Sequence, residues 1–286
     1  MDRRRIAKSL LKLLLSLGAL AYVLHKVDLH QVLSLIGRVA PLWIVAALLA
    51  FNLSKVVSSL RLNRFFHALG LRLSELDALK LYYIGMFYNL FLPGGIGGDG
   101  YKIYLLNRHR QIGAKALLAA TLLDRISGLA SLLFFAAVLF LLSRYAELYG
   151  WMVPLAWLGM AAVFPVTRLF YRAPFRRVFL STTLLGALTQ ILQLAAAYAL
   201  ARGLGLEHAM TETLALFLLS SVAAVLPLSV GGVGIREFVF LYGFGVLGLP
   251  VDKGVAFSLL FFLISAISSF AGLFLRHGLE QEPKRH

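Results

Sequence analysis

Six charged side chains, Lys55, Asp99, Asp124, Arg125, Arg236 and Glu237, stand inside or at the edge of long apolar runs. A charge near the centre of a bilayer costs roughly 2.5 to 3.5 kcal/mol on insertion scales, so each should face a protein interior or a wet cavity. Three of them follow glycine turns of similar wording. Gly94-Gly95-Ile96-Gly97-Gly98-Asp99-Gly100-Tyr101 and Gly231-Gly232-Val233-Gly234-Ile235-Arg236-Glu237-Phe238 share G-G-[IV]-G, a charge two residues on and an aromatic two after that, at an offset of 137 residues. Glycine frees the backbone so that successive N–H groups converge, and a helix starting just after the turn adds its positive end. Such turns can hold an anion, for instance a lipid phosphate. They can equally be hinges that let two half-helices approach, with the charges as ion pairs locking two halves together. Residue types alone leave both readings open.

On the binding reading the headgroup set is Asn89, Gly94, Gly95, Gly97, Asp99, Asp124, Arg125, Gly231, Gly232, Gly234, Arg236 and Glu237. Arg125 and Arg236, with the turn amides, would meet the phosphate; Asp99 and Glu237 would meet a positive headgroup or a coupling proton. Asp124 and Arg125 are adjacent, so on a helix they point about 100° apart and need not pair. Asp99 with Arg125, and Glu237 with Arg236 or Lys55, are the alternative couples. Asn52, Gln190 and Gln193 are softer polar positions, and Asn52 aligns with Thr189 at the same offset.

Other chemistries fare worse. Gly95 to Gly100 fits G-x-G-x-x-G, but a dinucleotide site needs a strand before it and a βαβ unit around it, and both flanks are membrane-length apolar segments. Tyr101 separates Gly100 from Lys102, so a phosphate loop of the G-K type fails too. There is no cysteine, and the seven histidines lie mainly in loops without metal-ligand spacing. No metal, no cofactor and no nucleophile–base pair are therefore expected, and the chain is not read as an enzyme.

The elements that must carry these residues follow from composition. Of 286 residues 60% are hydrophobic and 14% charged, and the mean hydropathy is +0.82. That describes a membrane protein, in which the net charge of +15 fixes orientation and attracts anionic headgroups rather than nucleic acid. A helix needs about 20 apolar residues to cross. Runs of about that length are Ile6 to Leu24, Pro41 to Leu60, Ala116 to Leu142, Tyr149 to Val166, Val178 to Ala201 and Gly254 to Leu275. The first follows a basic cluster and is read as a retained helix rather than a cleaved signal peptide. Leu79 to Leu106 and Thr213 to Gly248 are broken by glycine and proline. Basic residues flank the first broken zone on both sides and are sparse around the second, so the two are expected to re-enter from the cytoplasm and from outside respectively. With the N-terminus inside, 20 basic residues lie inside, 5 outside and 3 at depth.

The expected fold is an all-α polytopic membrane protein with six transmembrane helices and two oppositely oriented broken hairpins, N-in and C-in. The 1–286 chain reads as one membrane domain, with repeat 1 over about 41–142, a connecting helix at 149–166 and repeat 2 over about 178–275. An odd number of crossings between the halves makes the repeat inverted, a design in which paired broken segments build a substrate site near the midplane.

Asn89 to Leu106, Leu122 to Gly128 and Leu226 to Phe238 resemble the three marker segments of the lysylphosphatidylglycerol synthase transmembrane-region family, also called flippase-like domain proteins. The resemblance implies a unit that moves an aminoacylated phospholipid between leaflets after a cytosolic domain has made it. It also implies that Asp99, the Asp124–Arg125 pair and the Arg236–Glu237 pair are the family's charged positions. Gly100 departs from the larger residue expected there. About eleven residues follow the last apolar run, so the aminoacyl-transfer domain is expected to be absent. The leading functional expectation is a lipid translocase of the cell inner (plasma) membrane, acting on a lipid with an anionic or zwitterionic headgroup. An intramembrane enzyme on a lipid-linked substrate and a non-transporting partner of a lipid-modifying enzyme are the alternatives.

Overall fold

Among the described residues five helices are long and apolar enough to cross a bilayer: Pro41–Ala68, Ala114–Leu142, Gly150–Phe170, Phe175–Gly203 and Val251–Phe274. The structure is a computed structural model and describes residues 22, 25–91, 97–110, 112–225 and 234–275. In chain order its α-helices are α1 (Leu29–Gly37), α2 (Pro41–Ala68), α3 (Glu75–Phe91), α4 (Gly97–Arg110), α5 (Ala114–Leu142), α6 (Arg144–Leu148), α7 (Val153–Phe170), α8 (Phe179–Gly203), α9 (Met210–Val225), α10 (Ile235–Val246) and α11 (Val251–Phe274). Short 3-10 turns at Gly150–Met152 and Phe175–Val178 lead into α7 and α8.

Five of the six expected crossings coincide with these long helices, within a few residues at most ends. The exception is α2, which continues eight residues past Leu60 to Ala68. It can do so because the first charge it meets, Arg61, finds an acid inside the protein and need not leave the apolar layer. The run Ile6 to Leu24 lies outside the described residues apart from Tyr22. Each broken zone becomes a pair of shorter helices packed on each other, α3 with α4 and α9 with α10; of the expected turns, Gly94 to Ile96 and Gly231 to Val233 lie outside the described residues.

The helices pack reciprocally. The broadest contact joins α2 to α8. Around it, α3 packs on α11 as α9 packs on α5, and α4 packs on α5 as α10 packs on α11. Likewise α2 touches α3 as α8 touches α9, and α5 touches α8 as α11 touches α2. Outside this scheme, α7 packs chiefly on α5 as α1 packs on α11.

Hydrocarbon gives helices no hydrophobic reason to associate, so close approach and internal polar bonds must hold them. Phe51, Phe217, Phe240, Phe257 and Phe261 belong to one apolar cluster, and Leu62, Phe65, Phe66, Leu106 and Leu117 to a second. Along α2 the stretch between them buries Ser54, Ser58 and Arg61. Large apolar side chains such as Leu42, Trp151, Leu155, Leu169 and Phe274 are exposed, as hydrocarbon-facing residues would be.

Candidate functional site

Among the described residues, two ion-pair systems, two further cations and the carboxylate of Glu237 make up the charge at depth. In α4, Gly97, Gly98 and Asp99 form the first turn, where a carboxylate meets the positive end of the helix. Asp99 is buried and accepts on its two oxygens from Lys102 Nζ at 2.8 Å and Arg125 Nε at 2.6 Å. The expected Asp99–Arg125 couple is therefore present. Lys102, which sequence reading counted as a cytoplasmic flank charge, is instead buried. It lies over the Tyr82 ring at 5.2 Å, in space that only a glycine at position 85 leaves, since a Cβ there would stand 2.4 Å from Lys102 Cε. Asn89 Oδ1 accepts from the Gly98 N–H at 2.8 Å and so ties the end of α3 to the start of α4.

The second system was not legible. Arg61, also counted as cytoplasmic, donates from Nε to Asp124 Oδ1 at 2.8 Å and from Nη2 to Oδ2 at 3.3 Å. The pair crosses from α2 to α5 with 7% and 12% of the two side chains exposed, so water screens it little. Gly128 makes its slot, since a Cβ there would lie 3.0 Å from Arg61 Nη2, while Gly186 borders it and leaves room for Ser131, whose Oγ a Cβ would approach to 2.6 Å. Arg61 Nη1 and Gln190 Oε1 are buried without a hydrogen-bond partner among the described residues. Tyr171, just past the end of α7, shares its hydroxyl with Thr182 Oγ1 at 2.9 Å. Burial pushes its phenol above the ordinary value, which the hydroxyls of Ser127 and Thr182 and the Arg61 charge partly offset.

In the other half, Gly234 precedes α10 with φ +84°, the left-handed region that glycine alone enters cheaply. Glu237 is 1% exposed. It accepts from the Gly234 N–H at 2.7 Å and from Ser258 Oγ at 2.9 Å, so the expected couple with Arg236 or Lys55 does not form. A backbone donor and a hydroxyl on α11 take both oxygens first. Glu237→Ala is expected to lower stability by roughly 1–3 kcal/mol, the cost of buried donors left unpaired. Glu237→Gln, which keeps an acceptor, should lose less, and thermal unfolding of the detergent-solubilised protein compares the two.

Lys55 and Arg236 have neither an ion pair nor a hydrogen bond among the described residues. Each lies instead on a ring: Lys55 Nζ is 4.3 Å from the centroid of Phe51, and the Arg236 guanidinium 5.2 Å from that of Phe261. Those two rings meet edge to face at 5.6 Å. One cation from each half thus stands over a shared aromatic pair. Asp99 and Arg236 are equivalent at the 137-residue offset, so an acid in one half corresponds to a cation in the other. Arg236 is the second residue of α10, where the helix dipole opposes a positive charge.

Of the twelve expected positions, Gly94, Gly95, Gly231 and Gly232 lie outside the described residues. Among the softer positions, Asn52 donates to Ser268 Oγ at 3.0 Å and accepts from the Tyr83 hydroxyl at 2.7 Å. Gly100 faces open space, so the small residue there leaves Asp99 undisturbed. Beside α10, an apolar groove of about 810 Å³ opens between α7, α5 and α9, with Leu155, Val163, Ala137, Leu219, Phe238 and Tyr242 in its walls. Among the described residues no group of three or more His, Cys, Asp or Glu is arranged to hold a metal ion.

Long apolar helices, two packed helix pairs and ionised groups enclosed among them define an integral, multi-pass membrane protein. The chain belongs to the family described as the lysylphosphatidylglycerol synthase TM region, which residues 9–181 and 166–272 match. That family connects it with membrane domains related to lysylphosphatidylglycerol synthesis and flipping. No curated protein matches it.

Proposed function

We propose that this protein is a lipid translocase of the cell inner membrane. Its two helix sets, α2 to α5 and α8 to α11, act as inverted repeats with re-entrant hairpins, N-in and C-in, and pass a phosphate-bearing headgroup between them while the acyl chains stay in an apolar track. The observation that carries this is the pair Lys55 and Arg236, two cations from different halves that share an aromatic floor and make no ion pair or hydrogen bond among the described residues, Arg236 feeling, of the acids, only the charge of the adjacent Glu237. Uncompensated charge at membrane depth is costly, and in membrane proteins it marks substrate and ion paths. Reciprocal packing of the two helix sets supports the repeat reading, a build in which the site lies where the repeats meet. The groove beside α10 is apolar enough for acyl chains.

The test is a reconstituted-vesicle assay with fluorescent phospholipids and a quencher confined to the outer leaflet. Vesicles with the protein should bring lipid to the quencher faster than protein-free vesicles, and Lys55→Gln with Arg236→Gln should remove most of the acceleration. Equal rates with and without protein, for every lipid class tried, would end this reading.

A further inference from the structure

The charge inventory names the headgroup class. Five cations stand at depth, Lys55, Arg61, Lys102, Arg125 and Arg236, against three carboxylates, Asp99, Asp124 and Glu237. Counted formally among the described residues, the cations exceed the acids by two. The acids, moreover, are occupied on both oxygens. Asp99 holds Lys102 and Arg125, Asp124 holds the two donors of Arg61, and Glu237 holds the Gly234 N–H and Ser258. An ammonium entering this site would meet carboxylates that already hold donors on both oxygens, amid an excess of positive charge that repels it. An anion meets the opposite situation: Lys55 and Arg236 offer their charges without any bond being broken.

We infer that the protein selects lipids whose headgroup bears net negative charge, and disfavours those that add an ammonium near the phosphate, aminoacylated lipids included. This rests on the translocase reading only for its location, because the selectivity is a property of binding. A phosphomonoester, carrying roughly −1.5 to −2 at neutral pH, matches the excess more closely than a phosphodiester, so it should bind more tightly. The family's name points to an aminoacylated lipid; the three carboxylates at depth are already engaged by donors of the protein and would have to share them with its amine.

The test is the thermal unfolding midpoint of the purified full chain in neutral-detergent micelles, titrated with five additives. These are a phosphatidic acid, a phosphatidylglycerol, a phosphatidylethanolamine, a lysyl ester of phosphatidylglycerol, and inorganic phosphate. The two anionic lipids should raise the midpoint with apparent affinities at least about ten-fold tighter than the two amine-bearing ones, a difference of about 1.4 kcal/mol. Inorganic phosphate, which lacks chains, should give a smaller shift if the lipid as a whole is recognised. Phosphate matching phosphatidic acid would show a free-anion site and overturn selection of a lipid. Equal or tighter binding of the lysyl ester would overturn the inference directly. That comparison uses the unaltered protein, so it holds even if a variant fails to fold. In Lys55→Gln and Arg236→Gln preparations that remain monodisperse, the anionic preference should shrink; a preference left intact in both would place it elsewhere and refute the assignment. Selective binding without transport in vesicles would sink the translocase reading alone, whereas equal transport of anionic and lysyl lipids would sink this one alone.

Discussion

Arg61→Ala is expected to leave little folded protein. The substitution strands Asp124 between α2 and α5 with its partner gone, and removing one member of a buried ion pair costs about 3–5 kcal/mol because the remaining charge is uncompensated. Whole domains are held by only about 5–15 kcal/mol, so this one contact is a large share. Arg61→Lys should rescue poorly. A point-charge ammonium cannot reproduce the two parallel bonds at 2.8 and 3.3 Å, nor lie flat in the slot beside Gly128 and Gly186. Replacing both partners, Arg61→Leu with Asp124→Leu, should recover much of the loss, since a buried pair exchanged for apolar packing is often neutral. Monodisperse yield after detergent extraction and the unfolding midpoint read the series. If Arg61→Ala unfolded at the wild-type temperature, the pair would not be the lock described here.

Gly98→Ala is expected to force the first hairpin apart. A Cβ at that position would lie 1.9 Å from the Gly85 carbonyl oxygen and 2.6 Å from its carbon. Both are backbone atoms of the facing helix, which cannot swing aside as a side-chain tip can. Overpacking of this kind costs about 1–3 kcal/mol. The functional loss should be larger, because parting α3 from α4 also draws Gly98 from Asn89 and moves Asp99 relative to Arg125. The matched control is Gly100→Ala, two residues on and facing open space. There alanine gains up to about 1 kcal/mol of helix propensity over glycine, so the variant should be neutral or slightly more stable. Equal midpoints and equal transport for the two alanine variants would contradict the backbone contact.

Much of the architecture could be read before any coordinates, because runs of apolar residues long enough to cross leave few other choices. The Asp99–Arg125 couple was legible for a related reason: a charge in such a run needs a partner, and few exist. Arg61 was missed because the first arginine after Leu60 looked like the edge of the membrane. Whether a helix stops at a charge depends on what waits across the interface, and Asp124 lies 63 residues away. Lys102 did carry a signal, since it stands one helical turn from Asp99, a spacing that puts both side chains on one face. Glu237 turned from the expected cations to Ser258 for a tertiary reason that no local pattern records. Glycine turns in the sequence fit either an anion site or a hinge between half-helices. Gly98 sets how closely two helices approach, Gly234 supplies a left-handed backbone, and Gly85 and Gly128 clear room for buried cations.

The two unpaired cations also carry a consequence for voltage. Lys55 belongs to α2 and Arg236 to α10, so any rearrangement of one helix against the other shifts charge through the field across the bilayer. Each full charge carried across is worth about 2.3 kcal/mol at 100 mV. With a singly charged lipid bound, the site would still hold one positive charge in excess, so its loaded and empty forms would respond to membrane potential with different strengths. Transport through such a site would be electrogenic, and its rate would follow a potassium diffusion potential imposed on the vesicles.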